Sequence, residues 1–288
     1  NVTGVQTCAL PISVFLGILQ GLTEFLPISS SAHIRIAGLF SSAAADPGAT
    51  FTAIIQIGTE LAVLTYFRKD IVRIIKAWFA SLISSRRNLL SPDETSDARL
   101  GWLVIAATFP ILLLGYLFQD AIRTNLRSLW IVATVILVFG LILGLADKFG
   151  RSEKSLTQMT IRNGVLCGLA QCLALIPGVS RSGATIAMAR SLGYTREAAL
   201  RFSFLLALPA VIASGLYELL NSLSDKTLSP FSTTETAVAT LTSFVVGYVV
   251  IAWFLKFVTT RSFMPFVFYR VILSLALFGL LGFGVVAA

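Results

Sequence analysis

Five polar residues interrupt an apolar stretch in the segment EFLPISSSAH, residues 24–33. They are Glu24, the serines 29–31, and His33, which is the only histidine of the chain. Gln20 lies four residues before Glu24, so both side chains should share one face of a helix. A carboxylate, hydroxyls and an imidazole are the groups that proteins use for nucleophilic and acid–base chemistry. This composition predicts a reactive site within a hydrophobic region.

Each of these residues also has a purely structural interpretation. A carboxylate in the hydrocarbon region costs about 2.5–3.5 kcal/mol on insertion scales, which favours a function for Glu24. The alternative is a protonated or capped glutamate that holds helices together. Any single serine here is better explained as the N-cap of a following helix than as a nucleophile or a phosphate-binding group. His33 can act as general acid, general base or nucleophile near neutral pH, and its uniqueness favours a functional role.

A second polar tract, PGVSRSGAT at residues 177–185, contains a guanidinium flanked by hydroxyls. Arg181 with Ser180, Ser182 and Thr185, at the start of a helix, would suit a phosphate group. The alternative is an arginine that snorkels to the membrane surface. Glu60 and Arg270 lie within apolar segments and are predicted to support the same site.

The composition indicates an integral membrane protein. Of 288 residues, 56% are hydrophobic and 12% charged, and the mean hydropathy is +0.85. About six segments are predicted to span the membrane: 51–67, 100–118, 129–147, 197–220, 235–256 and 263–287. A net charge of +8 could indicate a nucleic-acid partner, but cytoplasmic loops of membrane proteins collect Lys and Arg for orientation. We therefore predict no nucleic-acid partner.

The distribution of basic residues predicts the orientation of the chain. Seven lie between residues 68 and 99 and four between 148 and 162, so both segments should be cytoplasmic. The linkers 119–128 and 221–234 are poor in basic residues and should lie outside, as should the C-terminus.

Two apolar segments, 12–26 and 161–176, are interrupted by Pro27 and Pro177 where a spanning helix should continue. Non-helical backbone at membrane depth is tolerated only where protein or a water-filled cavity satisfies it. An offset of 151 residues aligns both breaks and pairs Gly17 with Gly168 and Gln20 with Gln171. We interpret this as a duplication.

The predicted fold is thus an all-α polytopic membrane protein with two broken, re-entrant helical hairpins. One membrane domain covers 1–288, with repeats at about 13–147 and 161–287. Three crossings separate equivalent points, so the second repeat should be inverted, with a polar site between the repeats. Residues 1–12 are not expected to belong to the fold.

Two familiar phosphate chemistries are excluded by the motifs. The chain has no G-x-x-x-x-G-K-[ST] run, which excludes a P-loop ATPase. A lipid phosphatase of the haloperoxidase-like type needs two histidines, and this chain has one.

Both tracts resemble the motifs of the BacA-type undecaprenyl pyrophosphate phosphatases, the bacitracin resistance proteins. Gln20 to Glu24 matches the (E/Q)-x-x-x-E motif, and Pro177 to Thr185 matches P-G-x-S-R-S-x-x-T. Gln20 stands where some members have a second glutamate. The likeness continues through FSFLLALP and PFVFYR and covers nearly all of the chain after Ser13.

The resemblance implies hydrolysis of undecaprenyl pyrophosphate to the monophosphate carrier and inorganic phosphate for cell-wall synthesis. It also implies a bacterial cytoplasmic membrane protein whose site faces outward, a divalent cation, and bacitracin resistance. We expect Glu24 and Gln20 to hold Mg²⁺ or Ca²⁺, and Ser29 to join the phosphate-binding residues of the second tract. Ser30 is the expected nucleophile and His33 its general base or acid.

Alternatives stay open at this stage. His33 or a water molecule could be the nucleophile in place of Ser30. A transporter or flippase of a polyprenyl phosphate lipid would use the same inverted-repeat plan without a nucleophile. The sequence fixes no oligomeric state, and a homodimer is compatible with it.

Overall fold

The fold is known from a computed structural model that describes residues 3–39, 48–83, 96–118, 128–224 and 231–286. Within these ranges it consists of α-helices joined by turns and two short 3₁₀ segments, with no β-strand. The α-helices are α1 (Thr3–Phe25), α2 (Ser30–Leu39), α3 (Gly48–Tyr66), α4 (Arg68–Ile83), α5 (Ser96–Leu117), α6 (Leu129–Phe149), α7 (Ile161–Cys172), α8 (Arg181–Ser191), α9 (Arg196–Ser224), α10 (Thr233–Thr260) and α11 (Met264–Gly282).

Five of the described helices are long and apolar enough to cross a membrane. They are α5, α6, α9, α10 and α11, and each coincides with a predicted span. Helix α3 becomes a sixth when it is taken together with α4, to which it is joined by a 78° bend. The prediction of an all-α, polytopic membrane protein is confirmed. The segment 68–99, expected to be a loop, contains helix α4. Nearly all of the predicted outer linker 119–128 and part of the linker 221–234 lie outside the described residues.

Both predicted breaks are present. Helix α1 ends at Phe25 and α2 begins at Ser30, and we call residues 26–30 the first tip. Helix α7 ends at Cys172, and a 3₁₀ turn (Leu173–Leu175) leads to residues 176–182, which we call the second tip. The place where the two tips meet is called the junction. Among the described residues other than glycine, Ser29 (φ 75°) and Ser180 (φ 70°) alone have a positive φ. These two serines are separated by the offset of 151 residues on which the predicted repeat rests. The repeat itself, and its inversion, stay predictions.

The broken helices pack against helices from the other half of the chain. Helix α1 packs mainly against α10, and α7 against α5. Gly17 permits the first approach, because a Cβ there would collide with the backbone of Ala239; Gly168 permits the second, because a Cβ would collide with Ala107. Helix α1 begins at Thr3, ahead of the predicted start at residue 13, and Ile12 packs partly against a buried cluster that includes Leu16.

A buried ion pair fixes the far end of α8. Arg190 and Asp147 are each about 1% exposed and are joined at 3.2 Å. The same guanidinium donates to the carbonyl oxygens of Gly150 (3.0 Å) and Tyr194 (2.5 Å). Arg196 of α9 also donates to Asp147, at 2.7 Å. Helix α8 is therefore held between α6 and α9 at the end that lies away from the tip.

Candidate active site

The two broken tips meet at Arg270 of α11. This side chain is fully buried and donates to Pro27 O of the first tip at 3.1 Å. It also donates to Val179 O (3.1 Å) and Gly178 O (2.8 Å) of the second tip, and to Ile136 O of α6 at 3.0 Å. One guanidinium therefore joins backbone segments that are about 150 residues apart in sequence.

Glu24 lies where the tips meet and accepts hydrogen bonds from four side chains. Its Oε2 accepts from Ser30 Oγ (2.6 Å), Gln20 Nε2 (2.8 Å) and Gln56 Nε2 (3.3 Å). Its Oε1 accepts from Arg181 Nη2 at 2.8 Å. The structure thus brings together residues of both sequence tracts around one buried carboxylate.

Arg181 connects a second carboxylate to this group. Its Nη2 also contacts Glu60 Oε1 at 3.1 Å, and the Glu60 side chain is 1% exposed. Three buried polar atoms around Glu24 have no hydrogen-bond partner: Arg181 Nη1, Glu60 Oε2 and Gln20 Oε1. Buried polar groups are rarely left unpaired. One free donor and two free acceptors at one place would fit an anion and a cation together.

The serines of the tips begin two helices. Ser180 is the N-cap of α8, and its hydroxyl accepts from Gly183 N at 3.1 Å. Ser182 Oγ lies 3.2 Å from Ser180 Oγ and donates to Leu26 O of the first tip at 3.3 Å. Helix α2 begins at Ser30 of the same tip. The N-termini of α2 and α8, each with partial positive charge, thus flank the junction.

Thr185 lies one helical turn after Arg181 on α8. Its hydroxyl donates within the helix, to Arg181 O at 2.9 Å, and lies 2.5 Å from Ser203 Oγ of α9. This hydroxyl therefore joins helices α8 and α9. On the first tip, Ser29 Oγ lies 3.3 Å from Ser31 Oγ.

His33 has partners other than Ser30. Its Nδ1 lies 2.7 Å from Ser29 O and its Nε2 lies 2.6 Å from the hydroxyl of Tyr269, whose ring stacks on the imidazole. A carbonyl only accepts, so Nδ1 is the donor to Ser29 O, and in the neutral imidazole Nε2 accepts from the tyrosine. The carboxylate that accepts from Ser30 Oγ is that of Glu24, and the catalytic roles of Ser30 and His33 stay predictions.

Sequence reasoning missed Gln56 and Tyr269. Gln56 lies four residues before Glu60 on the predicted span 51–67, so a shared helix face could have identified it. Tyr269 directly precedes Arg270 in an aromatic run, and nothing in its local pattern distinguishes it from a lipid-facing tyrosine.

A cavity of about 360 Å³ borders the junction. Its lining includes Arg181, Leu175 and Glu218, together with Tyr116 and Tyr217. Most of its other lining residues are apolar. Of the four predicted catalytic residues, Arg181 is the one that lines this cavity.

The donor set of a cation site can be judged from the same atoms. The described ranges contain no group of three or more His, Cys, Asp or Glu side chains suited to a metal. Glu24 and Glu60 do supply two carboxylates near one guanidinium, and Gln20 adds a free amide oxygen. Oxygen donors of this kind are those preferred by Mg²⁺ and Ca²⁺, so the residues fit such an ion.

Fold and site together define a polytopic membrane protein with a buried polar site between two helix breaks. The chain belongs to the family described as bacitracin resistance protein BacA, whose family model matches residues 13–276. It is 59% identical over 278 residues to the undecaprenyl-diphosphatase of Paenarthrobacter aurescens (strain TC1), covering 96% of this chain and 98% of that protein. It is 60% identical over 277 residues to the one of Arthrobacter sp. (strain FB24), covering 96% and 95%. Undecaprenyl-diphosphatase 2 of Agrobacterium fabrum is 56% identical over 275 residues, covering 95% and 96%.

Proposed function

We propose that this chain is an undecaprenyl-diphosphatase. It hydrolyses undecaprenyl pyrophosphate to undecaprenyl phosphate and inorganic phosphate, which returns the lipid carrier to cell-wall synthesis. The observation that carries this proposal is the chain of contacts from Ser30 through Glu24 to Arg181, which joins a hydroxyl, a carboxylate and a guanidinium from both tips. Family membership and the names of the relatives agree with it.

Substrate phosphates bind where the tips meet. Arg181 offers its free Nη1 to the terminal phosphate, and Ser29, Ser180 and Ser182 lie at the starts of α2 and α8, beside backbone N–H groups. Helix N-termini bind phosphate through these N–H groups and the helix dipole. Thr185 holds α8 against α9 and so positions Arg181.

The reaction is a phosphoryl transfer to Ser30. The Ser30 Oγ attacks the terminal phosphorus while its proton passes to Glu24, 2.6 Å away. The bond from this phosphorus to the bridging oxygen breaks, and undecaprenyl phosphate leaves with that oxygen. Water then hydrolyses the phosphoserine and releases inorganic phosphate. His33 positions the Ser29 carbonyl and, through Tyr269, the first tip.

The proposal includes a divalent cation, Mg²⁺ or Ca²⁺. Gln20 Oε1, Glu60 Oε2 and the carboxylate of Glu24 would hold it. When bound, it neutralises charge on the phosphoryl oxygens. Gln20 keeps its amide nitrogen on Glu24, and so also fixes the orientation of that carboxylate.

We further propose that the protein lies in the bacterial cytoplasmic membrane and that its site opens to the outer face. The cavity beside Arg181 reaches Tyr116 and Tyr217, which lie near the C-terminal ends of α5 and α9. The positive-inside rule places these ends outside. An apolar lining suits the polyprenyl chain of the substrate.

The test is phosphate release from a polyprenyl pyrophosphate by the purified protein in detergent. We expect release with Mg²⁺ or Ca²⁺, none with EDTA, and loss of at least about a thousandfold in Ser30→Ala. Ser222→Ala on α9 is the matched control, because the hydroxyl of this serine donates to the carbonyl oxygen of Leu219 within the same helix. A phosphoryl group trapped on His33, or full activity of Ser30→Ala, would overturn the role of Ser30.

A lipid flippase is the alternative function that the same experiment separates. Transport of a polyprenyl phosphate across vesicles without phosphate release would contradict the hydrolase.

The sequence allows a homodimer, and light scattering of the purified protein distinguishes it from a monomer. The proposal includes no nucleic-acid partner.

A further inference from the structure

Helix α4 presents three different faces. Ile74 is buried, and Asp70 and Trp78, on the same side, pack toward the protein. A second side is apolar but exposed, and we call it the apolar stripe; it consists of Val72 (50% exposed), Ile75 (46%), Phe79 (53%) and Leu82 (49%). The spacing of three and four residues places these side chains on one helix face.

Basic side chains border the apolar stripe. Lys69 and Lys76 are exposed, and helical spacing places both beside Val72. An exposed apolar face next to a basic edge is the pattern of a helix that lies in a membrane interface.

The preceding helix has by itself nearly the length that is needed to cross the membrane. Helix α3 has 19 residues, which at 1.5 Å per residue is roughly 28 Å, close to the thickness of the hydrocarbon layer. The chain then bends by 78° into α4, so a spanning α3 directs α4 nearly along the membrane plane.

Ion pairs hold α4 in this direction. Asp70 accepts from Arg201 of α9 at 2.8 Å, and Arg73 donates to Asp97 of α5 at 2.6 Å. Both contacts are on the side away from the apolar stripe. The helix is therefore fixed to two predicted spans while its apolar stripe has no protein neighbour that covers it among the described residues.

We propose that α4 is an interfacial helix that binds anionic phospholipids of the inner leaflet. Its apolar stripe enters the upper acyl layer, and Lys69 and Lys76 contact phosphate headgroups. Basic residues at this depth are attracted to anionic leaflets. The binding site is separate from the junction of the tips and does not rest on the proposed hydrolase activity.

Depth measurement tests the position of the helix. Nitroxide labels are placed on Phe79→Cys and Lys76→Cys in full-length protein with Cys8, Cys167 and Cys172 replaced by alanine, reconstituted in phosphatidylglycerol-containing bilayers. We expect the label at 79 to be relaxed mainly by oxygen and the label at 76 mainly by a water-soluble nickel complex. Both labels in water, or both near the bilayer centre, would overturn the proposal.

Lipid selectivity tests the headgroup contact. The double variant Lys69→Gln/Lys76→Gln should lose at least twofold in the ratio of phosphatidylglycerol to phosphatidylcholine that stays bound to purified protein, measured by mass spectrometry. The matched control is Lys148→Gln/Arg162→Gln, which removes two exposed charges from the other basic segment. An equal loss in both variants, or no loss in either, would contradict a site on α4.

Discussion

The side chains of Glu24 and Arg181 depend on each other. Glu24 is 3% exposed and Arg181 13%, and they are 2.8 Å apart. Removal of one partner of a buried ion pair leaves an uncompensated charge that typically costs about 3–5 kcal/mol. A substitution that deletes either charge would therefore mix lost chemistry with lost stability. Variants that keep the charge are the informative ones.

Arg181→Lys keeps the charge and removes the planar fork. A single ammonium cannot hold Glu24 and Glu60 through one nitrogen while another nitrogen faces a phosphate. We expect phosphate release to fall by at least about a hundredfold while the melting temperature in detergent stays within a few degrees. Arg196→Lys, which retains a charge beside Asp147, is the control and should keep most of the activity. A near-normal rate for Arg181→Lys would assign this residue to structure alone.

At the scale of the helices, Arg270 of α11 holds the two tips together, and we call this set of hydrogen bonds the clamp. Arg270 donates to four carbonyl oxygens, and its position on a long apolar helix makes that helix the support of both tips. Helix α6 contributes Ile136 O to the same clamp, and its residue Gly140 lies against the Arg270 side chain. The tips are therefore positioned by helices that carry no predicted catalytic residue.

Arg270→Met should release the tips. The apolar side chain leaves buried carbonyl oxygens without donors, and hydrogen bonds to charged groups contribute about 1.5–3 kcal/mol each. We expect a clear fall in melting temperature and loss of phosphate release. Arg270→Lys, which can still reach part of the carbonyl set, should recover part of the stability. If Arg270→Met melts at the same temperature as the unchanged protein, the clamp does not hold the tips.

At the scale of the whole molecule, the orientation in the membrane decides which side the substrate enters from. Tyr116 is 71% exposed at one end of the molecule, and Glu153 is exposed in the predicted cytoplasmic segment. In a cysteine-free background, Tyr116→Cys should react with an impermeant maleimide in intact cells. Glu153→Cys should react only after the membrane is permeabilised. The opposite pattern would reverse the proposed orientation of the site.

The sequence predicted the spans and both breaks because long apolar runs and prolines act locally. It also grouped Glu24 with Arg181, through motifs that lie far apart. The contacts between individual side chains could not be predicted from the sequence, because Gln56 and Tyr269 reach the site only through the packing of α3 and α11. Helix α4 was missed for a related reason. Its basic residues indicated a loop, whereas contacts with α5 and α9 support a helix.

The exchange of partners between the halves has a consequence for biosynthesis. Helix α1 emerges from the ribosome before its main neighbour, α10, which begins only at Thr233. All of the chain between these two helices must be translated before α1 can be covered. Until then, the face of α1 that carries Gly17 and Gly21, and the carboxylate of Glu24, must be shielded by the insertion machinery or by lipid. The first broken helix can thus enter its final place only after α10 has been synthesised.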